Sequence, residues 1–345
     1  MAHNLHFNET TGQHSFFSVK EVAWHRLGQI VQDYPTSAEA LRFAGLDFTV
    51  EKRPLFTTLP EGDASISVPD HFATVRTDTD AVLGVVGKDY EVVQNVDAFA
   101  FFDSIVGGDG IQYETAGALG KGERIFITAK LPGYIRVGRE DLIEQYLFLT
   151  TSHDGFGSIT AAFTPVRIVC ANTLNAAMHQ KSNAVKIRHT MGAKARLEMA
   201  HQLLGITNQL STQLEAIFNR WSKITITDPE VKKLIQLALA PSKEVLSRLH
   251  GAGGDGLSTQ FRNMCDAAYE YALSHSSQNM DTTRGTLFGA YNAVTGYFQN
   301  VRSYKSDEAK VKSLLLGGAA QHKGQSAFRL CERYAQGGAS ALFLN

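Results

Sequence analysis

Two hydrophobic rhythms divide the chain. Up to about residue 195, apolar residues alternate or cluster in short runs broken by glycine, proline and aspartate, and beyond it they recur at steps of three and four. The first is the rhythm of strands, the second that of amphipathic helices. After a polar N-terminal arm, Ser37 to Ala44 predicts a helix that Ser37 caps and Gly45 stops. Phe48-Thr49-Val50 and Pro54 to Thr57 predict strands, and Phe72 to Arg76 with Val82 to Val86 a hairpin about Asp78-Thr79-Asp80. Asn95 stands where it would cap a helix from Val96 to Val106, whose Phe99, Phe102 and Val106 share one face. A second hairpin, Tyr113 to Ala118 with Arg124 to Leu131, turns through Gly120-Lys121-Gly122. Tyr134 to Val137, Glu144 to Ser152, Ser158 to Phe163 and Pro165 to Val169 continue the sheet. Connections this short leave no room for crossover helices, so the sheet is expected to be largely antiparallel.

From Arg196 the pattern Leu197, Ala200, Leu204, Ile206, Leu210, Leu214, Ile217, Phe218, Trp221 describes a long amphipathic helix. Asp228-Pro229 opens another through Leu239, and Gly251 to Gly256 reads as a flexible joint. Helices at about 258 to 275, 283 to 300 and 307 to 335 follow, the last capped by Ser306. The expected fold class is α+β: a largely antiparallel sheet with a packed helix in a first domain (1 to 195, N-terminal arm included), and a helical domain (196 to 345).

Charge sharpens that division. The total of 33 basic and 34 acidic residues hides 12 basic against 22 acidic up to Thr160 and 21 against 12 beyond it. An anionic partner is therefore expected at the second half. No run of about 18 uncharged apolar residues occurs, and the opening residues lack the basic-then-apolar order of a signal peptide, so a cytoplasmic protein that does not enter membranes is expected. Cys170, Cys265 and Cys331 are too dispersed for a disulfide framework or a zinc site and read as buried free thiols.

Several candidate chemistries fall away on their spacing. Gly117 to Gly122 lacks the Ser/Thr after the lysine and the following helix that a phosphate loop needs, and a β-turn explains it better. His3, His6 and His14 have no carboxylate or thiolate at ligand spacing. Cys170 with His179 or His189 would make a nucleophile and base, although a buried small residue is the simpler account of Cys170. His153-Asp154-Gly155 would pair a base with an orienting acid but is first a turn. No metal, cofactor or catalytic residue is expected.

The most informative feature is an absence: from Gly155 to Leu197 there is no Asp or Glu, while Arg167, Lys181, Lys186, Arg188, Lys194 and Arg196 supply six cations. In Val185-Lys186-Ile187-Arg188 strand alternation would bury Val185 and Ile187 and turn Lys186 and Arg188 together toward the phosphates of a single strand. Phe156 and Phe163 would offer stacking surfaces. The alternative is a basic face paired with the acidic first half of its own or a neighbouring subunit. A second candidate surface is the helix over Gly285 to Phe298, where Tyr291, Asn292 and Tyr297 are candidate contacts for a ligand or second subunit, against the plainer account of a helix–helix contact.

Several stretches together resemble the phage/plasmid-like proteins of domain-of-unknown-function family 932. They are Ala23 to Gly28, Leu83 to Gly87, Tyr90 to Asn95, Thr115 to Leu119, Thr151 to Gly155, Thr164 to Leu174, Lys186 to Thr190 and Gly289 to Thr295. The family more often has glycine where Arg26 stands, which removes a tight-turn role from that position. The resemblance implies a mobile-element setting and brings no catalytic residues. The order of hairpins around one helix, then a basic strand and further helices, is also similar in outline to Rad52-like and RecT-like single-strand annealing proteins. The expectation is a homo-oligomeric single-stranded DNA-binding, strand-annealing protein of a phage or plasmid. The alternative is a non-enzymatic factor of a mobile element that engages a host or phage replication protein.

Overall fold

In the computed structural model the described residues are 5–9, 11–20, 27–58, 65–106, 112–166, 184–189, 192, 195, 210–250, 256–305, 313–314 and 318–343. The fold is α+β, with a sheet-rich first half and a helical C-terminal half. Two compact units are present: one comprises residues 1–132, 146–163 and 184–206, the other residues 133–145, 164–183 and 207–345.

The first unit begins with strands where a polar arm was expected. These are β1 (Phe7–Asn8), β2 (Gln13–His14), β3 (Phe16–Val19) and β4 (Gln29–Val31). All four residues of β3 are buried, which anchors this segment to the sheet. Next come α1 (Ser37–Phe43), β5 (Val50–Thr58), β6 (Ser65–Arg76), β7 (Val82–Gly87), α2 (Asn95–Val106) and β8 (Gln112–Leu119). The long strands β9 (Arg124–Val137) and β10 (Asp141–Ser152) lead to β11 (Ile159–Val166) and β12 (Ala184–Ile187). A seven-stranded sheet runs β12-β11-β10-β9-β8-β3-β4, and β5-β6-β7 form a separate three-stranded sheet. The β3–β8, β8–β9 and β11–β12 pairs are antiparallel, while β3–β4 is parallel.

Two expected caps shift. Thr36, not Ser37, caps α1 in a reciprocal pair with Glu39. Asn95 does not cap α2, because its side chain is spent on Leu46 O and His153; Asp97 instead accepts from Gln94 N–H at 3.0 Å. Phe99 and Phe102 are buried as their spacing predicts, and Phe99 meets Tyr113 of β8. The side chain of Val106 lies outside the described residues.

In the second unit, residues 210–221 are helical and bury Leu210, Leu214, Phe218 and Trp221. Residues 196–209, the start of the expected long helix, lie outside the described residues, as do the 251–255 joint and the Ser306 cap. The helix Asp228–Leu239 starts as expected, with Thr227 and Glu230 as a capping box and Pro229 in its first turn. A short helix, Lys243–His250, was not foreseen; Thr259–Ser274 and Ala319–Gly337 complete the described long helices. Every residue of the helix Leu287–Gly296 is buried. Its Tyr291 packs with Trp221 and Phe328, and its Phe288 with Phe218. The β9–β10 end belongs to this unit: Asn219 accepts from Gly138 N–H and donates to Arg136 O, and Thr282 donates to Asp141 at 2.5 Å. Cys265 and Cys331 are buried free thiols as expected, and burial pushes the Cys265 thiol up to about 12; Cys170 lies outside the described residues. Among the described residues no helix is long and apolar enough to cross a membrane.

Gly289 fixes how tightly the central helix packs. A Cβ there would lie 1.8 Å from the backbone oxygen of Thr283, so main chain has to move to admit it. Gly289→Ala is expected to destabilise the protein by about 1–3 kcal/mol, the usual range for overpacking, read as a lower urea midpoint at unchanged slope.

Candidate nucleic-acid interface

The predicted alternation in the basic strand is present. On β12, Val185 and Ile187 are buried opposite Ala161 and Ile159 of β11, while Lys186 and Arg188 are exposed. A period-two strand at the margin of a sheet leaves no other arrangement, since hiding the apolar pair turns the cations outward. The two side chains leave the strand about 6.6 Å apart on the same face. Among the described residues neither forms an ion pair with a carboxylate.

Beside them sits a polar cluster built from segments distant in sequence. His153 is fully buried; its Nε2 donates to Asn95 Oδ1 at 2.9 Å, because Asn95 Nδ2 is committed to Leu46 O and so turns its oxygen to the imidazole. Thr74 donates to the His153 carbonyl at 2.6 Å, and His153 N–H to Glu123 O at 2.7 Å. His189, directly after Arg188, stacks on Tyr90 with centroids 4.6 Å apart, and its carbonyl accepts from Glu91 N–H. Tyr90 donates to Ser152 O at 3.1 Å. A Cβ on Gly84 would lie 2.5 Å from the Asp154 backbone, so β7 presses directly against the 153–156 turn. Below, Arg76 is buried between Asp78, which it grips with Nε and Nη2, and His6 and Lys121 O, with its guanidinium 3.8 Å from the centre of the Phe48 ring. Arg76 in turn holds the Asp78 carboxyl below its ordinary value, hydrogen bonding being the larger cause.

Of the proposed stacking residues only Phe156 is available. It is 91% exposed, whereas Phe163 is fully buried inside the sheet and is corrected to a core residue: it falls on the same inward face as Ala161. Tyr291 and Asn292 are likewise interior to the helical unit, and Tyr297 is half-buried in the turn after the same helix; that helix is a packing element on all sides, as the plainer account of it held. Arg167, Lys181, Lys194 and Arg196 lie outside the described residues. So do Cys170, His179 and His3. His189 is buried on Tyr90, and His6 is engaged by Arg76 and Gly120 O. Among the described residues no group of three or more His, Cys, Asp or Glu is placed to hold a metal.

Sequence reasoning missed that Tyr90 stacks on His189 after the basic strand and bonds Ser152, that Asn95 binds His153, and that Asp154 holds the Phe156 N–H. Tyr90, Asn95, Ser152 and Asp154 each lie within a stretch that carried the family resemblance, but a linear reading does not show that Tyr90 to Asn95, Thr151 to Gly155 and Lys186 to Thr190 converge. The chain matches the family described as a domain of unknown function (DUF932) over residues 82–315, more than half its length. No curated protein and no solved structure matches it.

Burial lowers the His153 pKa to about 4, with the nearby His189 adding to the effect and Asp154 opposing it. An unfolded histidine titrates near 6.5, so the folded state binds the proton less well. Stability is therefore fully present above about pH 6.5 and falls as the pH drops toward 4, by about 3 kcal/mol in all. His6, also lowered by burial, acts with the same sign. Denaturant midpoints across this window are expected to fall steeply for the parent and less steeply for His153→Gln.

Proposed function

The chain belongs to the DUF932 family, and from that premise we propose that it is a single-stranded DNA-binding protein of a phage or plasmid, with strand annealing by a homo-oligomer as its task. Lys186 and Arg188 take successive phosphates and Phe156 a base. The observation that carries this reading is the pair of exposed cations on one face of an edge strand, with no carboxylate pairing to them among the described residues. A cation already neutralised by its own protein releases no counterions on binding DNA, whereas a free one does. The acid-free run from Gly155 to Leu197 supports the same reading, as does the outline likeness to Rad52-like and RecT-like annealing proteins. That likeness is an analogy of fold and carries less weight than the side chains.

A second reading, a factor that engages a replication protein, is favoured by the distal part of the β5–β6 ribbon. Beyond the bulge at Pro54/Phe56 both faces are open, and Phe56 and Ile66 point to solvent at 59% and 48% exposure. Exposed apolar residues on a two-stranded ribbon are a common basis for protein contact.

An electrophoretic shift series with single-stranded and duplex DNA separates the two. With single-stranded DNA, log affinity is expected to fall with log salt, and Lys186→Ala with Arg188→Ala is expected to reduce that slope by about 1.4, two phosphates at about 0.7 each. Reversal of both to Glu abolishes retention without lowering the thermal midpoint. No shift at low salt would leave the protein-binding reading standing.

A further inference from the structure

We infer that Phe156 is a fixed base-stacking platform, that Asp154 is the positioning residue holding it, and that together they make the basic edge selective for unpaired bases. The inference rests on the reading of Lys186 and Arg188 as phosphate contacts. Phe156 has the highest exposure of any large apolar residue described, yet its backbone is closely held. Asp154 Oδ1 accepts from Phe156 N–H at 2.8 Å and from the Ser152 hydroxyl at 2.7 Å, and Oδ2 stands 3.8 Å from the Arg124 guanidinium. Both neighbours of Phe156 are glycines in close contact with other segments. A Cβ on Gly155, at φ +80°, would fall 2.9 Å from Val86 and 3.1 Å from Val85 O; one on Gly157 would fall 2.5 Å from Ser152 Oγ. The main chain thus runs close to Val85, Val86 and Ser152 while the ring is exposed.

The register decides what meets this ring. Ile159 pairs with Ile187, so Arg188 leaves the β11–β12 ladder at the end from which Phe156 is three residues away, about 10 Å of chain at most. A strand held by its phosphates on Lys186 and Arg188 therefore reaches Phe156 within a nucleotide or two. What suits the ring is a base and not a phosphate, because an aromatic face offers an apolar stacking surface and carries no positive charge. A base inside a duplex has its faces covered by its neighbours and cannot be offered to the ring, so the platform selects single strands.

The test uses the full-length chain with a labelled single strand and the same sequence as duplex. Phe156→Ala is expected to weaken single-strand binding about tenfold, leaving duplex affinity and the salt slope unchanged, with Phe156→Tyr restoring it. Asp154→Ala gives the same loss, and the double variant loses no more than either alone, as expected when one residue acts through the other. Asp154→Asn, which keeps both accepted hydrogen bonds, binds at least as well as the parent. Additive losses, or equal losses on duplex, overturn the inference. Unchanged binding after reversing Lys186 and Arg188 removes the phosphate reading itself, whereas a normal salt response with an indifferent Phe156→Ala overturns the platform alone. Denaturation midpoints are taken for each variant. Should Asp154→Ala not fold, the single-strand to duplex ratio of Phe156→Ala, an exposed site, decides.

Discussion

The contact between β7 and the 153–156 turn is the constraint from which the candidate site follows. At Gly84 the strand backbone lies so close to Asp154 that no side chain fits between them. This approach brings the turn over the three-stranded sheet, where Thr74 of β6 reaches the His153 carbonyl and Asn95 reaches its ring. From the seated His153 the chain passes through the exposed Phe156 and enters β11. β11 then supplies the buried partners of Val185 and Ile187 and so aims Lys186 and Arg188. A side chain at position 84 would disturb each of these steps, although that residue touches none of the cations.

The polar interior of this unit has a related logic. Buried histidine, asparagine and arginine are costly unless each hydrogen-bonding group has a partner. Arg76 meets this demand with Asp78, His6 and Lys121 O, and its flat face is covered by Phe48. His153 Nε2 and both ends of the Asn95 amide are satisfied in the same way, whereas His153 Nδ1 is buried without a partner among the described residues. Because the imidazole stays neutral down to about pH 4, it is a fixed hydrogen-bonding strut at ordinary pH. The His153-Asp154-Gly155 motif thereby holds segments together, with the aspartate and glycine shaping the turn as that dipeptide suggested.

Local structure was readable where a single pattern decides it. The alternation at Val185 to Arg188, the glycine turn at 120 to 122 and the helix starts at Thr227 and Ser258 depend on neighbours within a few residues, and each stands close to where sequence puts it. The errors arise where distant partners compete. Asn95 has the right type and position for a helix cap, but His153, 58 residues away, claims its oxygen. Phe163 has the right type for stacking, but its place in β11 points it inward. The opening segment read as an arm because it is polar, whereas its Phe16 and Phe17 are buried where β3 pairs with β8. Convergence of the family-like stretches on His153 and His189 is a property of strand order, which no window along the sequence contains.

Cations on an edge strand have an explanation that needs no ligand, since lysine and arginine there discourage sheets from pairing edge to edge. That account predicts an edge surrounded by polar side chains. Close to Lys186 and Arg188 in the β11–β12 register, however, the turn carries a phenylalanine at 91% exposure, its backbone N–H held by an aspartate and its neighbours two glycines. An exposed aromatic works against protection of an edge, and the free energy lost by leaving it in water is on the order of 2 kcal/mol. Positive charge beside an exposed aromatic face suits a ligand that has both anionic groups and flat apolar rings. A nucleic acid strand with its bases unpaired is a ligand that meets both requirements.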